Sequence, residues 1–429
     1  MIYLKDMNNR ASIIGVGSTK FGSVLETPEL KDRTFQELAA EAAFEAMDDA
    51  GINPDKIDAF IVGNMLTHTS QIYSHSTVLS DWLGMRLKGG FHFDTACSTT
   101  NTGLGIAWEM IMSGKCKNVL LVAGEILSSK PKNVFPLDRQ AVDAQTLWEW
   151  TDYGVDHVYA YHHFYDVASA YGAFPTIGYM RKNKLTFEEM DKAMMEVNRT
   201  VRKHSSLNPK ALLYSKGTLE EEAKREGFAS VDEYWKSAKN PFFAWPTRLF
   251  SALNTADGFT ASVISAEPEK YASKLPVDIT GFHWTTSNFP WYGEDPTDFP
   301  QDKLAFEEAY KMANIKPEEI DYLYVHDCLQ IYQLILSEVA GYVPKGQAWK
   351  YAVDGKFGFD GEKPLNVSGG RHGGGHAFEA SAGFETYEIV KQMRGEAGKR
   401  QIKSKLEVAV QHNHGYGMHT AVTVLKKGK

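Results

Sequence analysis

The 429-residue chain predicts an α/β fold built from two duplicated halves. Three observations predict it. The first is an internal repeat: residues 43–62 read AFEAMDDAGINPDKIDAFIV, and residues 306–325 read FEEAYKMANIKPEEIDYLYV. An offset of 263 carries Ala46, Ala50, Ile52, Pro54, Ile57, Asp58 and Val62 onto Ala309, Ala313, Ile315, Pro317, Ile320, Asp321 and Val325 without a gap. The second is the pattern within each copy, which reads as a helix, a proline-bearing turn and an apolar strand. The third is the placement of two of the three cysteines, Cys97 in Asp-Thr-Ala-Cys-Ser-Thr-Thr and Cys328 in His-Asp-Cys. Each follows an apolar run that reads as a buried strand, and each opens a stretch that reads as a helix. Two duplicated α/β halves explain all three.

In chain order, residues 11–125 form the first half. After Cys97, TTNTGLGIAWEMIMSGKCKNVLLVAGE reads as a helix with small residues early, a stop at Gly114, then a buried strand. Residues 126–240 differ. They begin rich in aromatics and histidine (TLWEWTDYGVDHVYAYHHFYDVASAYGAF) and become strongly charged (TLEEEAKREGFASVDEYWKSAKN). Their periodicity is helical, and they read as an insertion lying over the active site. SALNTADGFTASVISAEPEKYA then resumes strand-like structure and completes the first half at about 241–275. The second half is 276–427. After His376, AFEASAGFETYEIVKQMRG repeats the helix with small residues early, stopping at Gly395, and LEVAVQHN reads as a strand. Small residues let the two helices pack closely, which would gather chemistry where their N-termini meet.

Composition excludes several classes. Hydrophobic residues are 43% and charged residues 23%, as in globular proteins. A net charge of -8 argues against a general nucleic-acid binder, yet is compatible with a local basic patch for a phosphorylated ligand. Three cysteines do not make a disulfide scaffold and fit a reducing, cytoplasmic compartment. The first residues lack a signal-peptide core, and no apolar run is long enough to span a membrane.

Four segments could carry chemistry. A thiol at a helix start meets unpaired N–H groups that favour the thiolate, so Cys97 reads either as a nucleophile or as a small buried thiol. Residues 366–377, NVSGGRHGGGHA, let backbone approach a ligand closely, with His376 as a base for Cys97 or as part of a structural loop. His326-Asp327-Cys328 ends a strand, where α/β sites commonly lie; Cys328 could move a proton and His326 could bind an oxyanion. Residues 411–419, QHNHGYGMH, read as a Gly-punctuated loop with exposed N–H groups. Five histidines fall within 372–419, but the spacing matches no metal motif, and no metal is expected.

Together these motifs resemble the thiolase superfamily, and most closely the sterol-carrier-protein-x type. The likeness includes ASIIGVGSTKFG and the segment around Asn208-Pro209, and runs through essentially the whole chain. It implies a duplicated thiolase fold, five-layered αβαβα, with a helical loop domain that holds coenzyme A. It also implies an acyltransferase in which Cys97 takes the acyl group, His376 activates it and Cys328 carries the proton. His326 with His376 would form one oxyanion hole, and the backbone N–H groups of Cys97 and Gly415 the other. Coenzyme A would be a co-substrate, with no covalently bound cofactor. A homodimer core and a small zinc-ribbon/OB-fold accessory subunit are also implied. The chain departs from the family at Ala377, where many members have Pro, and at Asn413 and His414, where a second catalytic Cys is missing.

The substrate reading rests on aromatic residues. Trp148, Trp150, Tyr153, Tyr159, Tyr161 and Phe164, with Phe-Pro-Trp-Tyr at 289–292 including Trp291, would suit an aromatic acyl group, or else form core or interface. Within the family the chain looks like the thiolase subunit acting on benzoylsuccinyl-CoA, giving benzoyl-CoA and succinyl-CoA in anaerobic toluene breakdown. Arg371 is then a candidate partner for the succinyl carboxylate, and His414 another polar contact. The alternatives are an acetyl-CoA acetyltransferase running the Claisen condensation and a non-catalytic acyl-CoA or lipid carrier on the same scaffold.

Overall fold

The computed structural model describes residues 10–65, 74–128, 172–287, 295–415 and 419–428. The expected aromatic walls at Trp148, Trp150, Tyr153, Tyr159, Tyr161, Phe164 and 289–292, including Trp291, lie outside these residues. Eleven strands are described: β1 Ser12–Ser18, β2 Ala59–Gly63, β3 Gly89–Phe93, β4 Asn118–Glu125, β5 Phe242–Ala244, β6 Thr247–Arg248, β7 Gly258–Ser265, β8 Val277–Thr286, β9 Tyr322–Tyr324, β10 Val408–Gly415 and β11 His419–Lys427. Nine form a mixed sheet in the order β3-β2-β4-β7-β1-β8-β11-β10-β9, and β5 and β6 form a separate hairpin. The first five strands of that order come from the first half and the last four from the second. Among the described residues the two sets of strands pair at Ser12–Asp278 and Ile13–Val277. The architecture is α/β, with a large central sheet and many helices.

The repeat is visible in three dimensions. Helix α1, Phe35–Ala50, starts at a capping box between Thr34 and Glu37 and stops at Gly51 in the left-handed conformation. Its alanine face lies so close to β1 that a Cβ at Gly15 would stand 2.1 Å from the Ala46 carbonyl oxygen. In the second half, the helix Pro300–Ala313 ends at left-handed Asn314, and a Cβ at Gly281 of β8 would stand 2.3 Å from the Ala309 carbonyl oxygen. Ala46 and Ala309 are repeat partners, as are the 3-10 turns Pro54–Lys56 and Pro317–Glu319.

The helices that follow the two expected chemical segments, Thr99–Met112 and Glu379–Arg394, meet as their small residues predict. The Thr100 hydroxyl donates to the Glu379 carbonyl (2.6 Å), and a Cβ at Gly383 would stand 3.2 Å from Thr100 Cγ2. Described residues 172–241 carry helices and no strand, the longest being Phe187–Ser205, with a capping box between Thr186 and Glu189. This helix is tied to the β5–β6 hairpin by Asp191, which accepts from buried Trp235 (2.9 Å) and pairs with Arg248 (2.8 Å). Among the described residues no helix is long and apolar enough to cross a membrane.

Two expectations need correction. The run before Cys97 is not a buried strand: β3 is the sheet edge, and Gly89–Phe91 are exposed. The strand read in LEVAVQHN runs on as β10 to Gly415, so His414 and Gly415 lie not in a loop but in strand, paired with Thr420 and His419 of β11. The polar side chains at this end of β10 are buried and each has a partner, which is why they tolerate a strand interior.

Candidate active site

Cys97 sits in a tight turn between β3 and Thr99–Met112. Ala96, just before it, takes a positive φ of 51°, a conformation costly for a residue with a Cβ, and Ser98 anchors the turn by donating to the Thr95 carbonyl (2.6 Å). Gly415 packs directly on this turn: a Cβ there would stand 2.0 Å from the Thr95 carbonyl oxygen and 2.8 Å from Ser98 Oγ. The structure therefore brings the two expected oxyanion-hole residues, Cys97 and Gly415, side by side.

His376 arrives from the other half. Its Nε2 lies 3.3 Å from Cys97 Sγ, and its Nδ1 lies 2.8 Å from Ser381 Oγ. Burial, reinforced by the Arg371 charge, pushes its pKa well below the ordinary histidine range, so it rests neutral and able to accept a proton. Ser381 is a positioning residue that the sequence reading missed; its signal was its place in the first turn of the helix after His376.

Cys328 and His326 complete the cluster. The ring centroids of His326 and His376 are 6.1 Å apart and nearly perpendicular. Burial also depresses His326, which is therefore neutral, while burial raises the Cys328 thiol far above its usual value, so Cys328 rests protonated, as a proton donor must. A short segment staples the two loops together. Leu253 N–H donates to the Cys328 carbonyl (2.7 Å), Asn254 N–H to the Arg371 carbonyl (3.2 Å), and His376 N–H to the Asn254 carbonyl (2.8 Å). Beneath them, buried Asp327 accepts from Arg371 N–H (3.0 Å) and Gln333 Nε2 (2.7 Å).

The expected substrate contacts fare differently. Arg371 is 1% exposed, and its Nη2 pairs with equally buried Glu385 at 2.8 Å. This ion pair is the described partner of the guanidinium, and its reading as the partner of a substrate carboxylate stays a proposal. His414 also has a partner within the protein: its Nε2 is bound to buried Asp302. His419 holds Ser98 Oγ through Nδ1 (2.9 Å). Trp148 and Trp291 lie outside the described residues. Asp302 and Glu385 were not singled out in the sequence, because a buried acid leaves no local pattern.

Comparison with known proteins bears on the family and the fold. Residues 11–159 match the thiolase N-terminal domain, and residues 292–427 match the thiolase C-terminal domain-like family. The chain is 27% identical to the acetyl-CoA acetyltransferase of Methanothermobacter thermautotrophicus, covering 94% of this chain and 96% of that one. It is 25% identical to the benzoylsuccinyl-CoA thiolase subunit BbsB of Thauera aromatica, covering 96% of both. Among solved structures it resembles the Ltp2-ChsH2(DUF35) aldolase, with a TM-score of 0.74, 20% identity and 98% of each chain covered. It also resembles human mitochondrial 3-ketoacyl-CoA thiolase, with a TM-score of 0.67, 18% identity, and 98% and 99% covered. These two likenesses bear on the fold. The chain is an acyltransferase that belongs to the thiolase superfamily.

Proposed function

We propose that the chain cleaves a 3-oxoacyl-CoA with coenzyme A through an acyl-Cys97 intermediate. The observation that carries this reading is the 3.3 Å contact between Cys97 Sγ and His376 Nε2. His376 takes the Cys97 proton, and the thiolate attacks the 3-oxo carbon. The C2–C3 bond then breaks, and the departing carbanion takes its proton from Cys328 Sγ. His326 and the N–H groups of Cys97 and Gly415 stabilise the oxyanions. Coenzyme A, deprotonated in its turn, attacks the thioester and regenerates the Cys97 thiol. A retro-aldol reaction or a carrier role would need no thiol held against a base, which favours acyl transfer over both.

Benzoylsuccinyl-CoA is the substrate favoured here, giving benzoyl-CoA and succinyl-CoA; the full-length likeness to the Thauera subunit supports it. A small zinc-ribbon/OB-fold partner is proposed with it, on the likeness to an aldolase named with a DUF35 protein. A homodimer through β3 is proposed from that strand's outer edge, which pairs with no described strand and exposes Phe91. The test is CoA-dependent cleavage of benzoylsuccinyl-CoA beside acetoacetyl-CoA, with and without the partner. Preferential release of benzoyl-CoA supports the aromatic reading. Turnover of acetoacetyl-CoA alone rejects it and favours an acetyl-CoA acetyltransferase.

A further inference from the structure

Behind His326, away from Cys97, lies a buried carboxylate for which the acyl-transfer steps have no use. Asp302 stands in the first turn of the helix Pro300–Ala313 and is wholly buried. Its Oδ1 receives His412 Nε2 (2.6 Å), His414 Nε2 and Thr420 Oγ1 (2.9 Å), while Oδ2 has no partner. Both histidines grip His326. The His326 backbone N–H donates to His412 Nδ1 (3.4 Å), and the His414 backbone N–H donates to His326 Nδ1 (3.3 Å). Aromatic rings hold the grip in place: Phe306 stacks on His412 at 5.0 Å, and Phe299 packs on His414 at 5.5 Å between centroids.

The proton positions follow from these contacts. A neutral imidazole that accepts at Nδ1 carries its proton on Nε2. His412 is therefore a donor to Asp302, and His326 keeps its own Nε2 proton free to donate. Burial would raise the Asp302 pKa, but His414 and His412, both bonded to Oδ1, outweigh it and hold the carboxyl below its ordinary range. It remains an acceptor.

We infer that Asp302 is a positioning residue: by anchoring the His412 and His414 side chains it holds the His414 backbone N–H against His326 Nδ1, and so keeps His326 in the Nε2–H tautomer that an oxyanion donor requires. This rests on the role proposed above for His326. The ligand atoms of Asp302, His412 and His414 lie within 4.8 Å of one another, a spacing a divalent cation could also use. A metal-bound imidazole keeps its proton on the nitrogen facing away from the metal and donates it there. His412 Nδ1 instead faces an N–H, and this favours the hydrogen-bonded anchor.

The test is the tautomer of His326 in ¹⁵N-histidine-labelled protein, its signals assigned by their loss in His326→Gln. The expected result is the Nε2–H form in the wild type at neutral pH and a mixture of tautomers in Asp302→Asn. With the substrate it cleaves, Asp302→Asn should lose on the order of ten-fold in kcat with KM nearly unchanged. Thr420→Val, which removes one donor and keeps the shape, should shift both readouts in the same direction by less, and serves if Asp302→Asn does not fold. An Nδ1–H tautomer in the wild type would overturn the inference, as would an unchanged tautomer and kcat in both variants. So would a stoichiometric divalent metal whose chelation removes activity. The tautomer readout needs no substrate, so its failure is distinct from a failure of the acyl-transfer reading.

Discussion

At the scale of single residues, the two thiols of the site differ in what surrounds them. Cys97 faces a neutral base, whereas Cys328 is buried and held protonated. Cys328→Ala should therefore lose about 10²- to 10⁴-fold in cleavage of a 3-oxoacyl-CoA, because the departing carbanion finds no proton. Exchange of acyl groups between thioesters and labelled coenzyme A needs only Cys97 and His376, and should survive in the same variant. Equal loss of both activities would contradict the division of labour. The depressed pKa of His376 sets a pH dependence whose sign can be worked out. Protonation disables the base, and burial together with Arg371 lowers the pH at which that happens. The acid limb of acyl-enzyme formation should then lie below the ordinary histidine value of about 6.5. Arg371→Met removes the nearby charge and should move the limb upward. A limb at or above that value in the wild type, in rapid-mixing rates across pH, would count against a buried neutral base.

At the scale of elements, the Gly-rich segment 366–377 exists to let backbone pass close to buried groups. Gly370 has a φ of 57°, and a Cβ there would stand 2.1 Å from Asp327 Oδ2. Gly370→Ala should cost roughly 1–3 kcal/mol of stability and displace the Asp327 loop that carries Cys328. Urea unfolding and cleavage rates measured on the same preparation check this; unchanged values in both would show the loop to be more accommodating. The glycines, His376 and the two cysteines were legible because each marks a local event, a turn or a strand end. The strand position of His414 and Gly415 was not. They read as part of a Gly-punctuated loop, and only a partner remote in sequence, Asp302, satisfies His414 as strand. The pairing of Arg371 was hidden for the same reason: its partner Glu385 stands on the next helix, and nothing in the local sequence shows that the two side chains meet.

At the scale of the whole molecule, the duplication was legible because α1 and the helix Pro300–Ala313 keep the same alanines against the same strand positions. The edge character of β3 was not, since Gly-Gly-Phe-His-Phe reads equally as a core strand. If β3 pairs with a second copy, sedimentation equilibrium should show a dimer, and Phe91→Lys should shift it towards monomer by placing charge at the edge. A wild-type monomer would contradict that assembly. The central claim, acyl transfer through Cys97, is tested most directly by mass spectrometry of protein mixed with the 3-oxoacyl-CoA it cleaves, with free coenzyme A left out. The account predicts an acyl adduct on the peptide that contains Cys97, released by added coenzyme A and absent in Cys97→Ala. Full turnover by Cys97→Ala, or an adduct on any other residue, would contradict it.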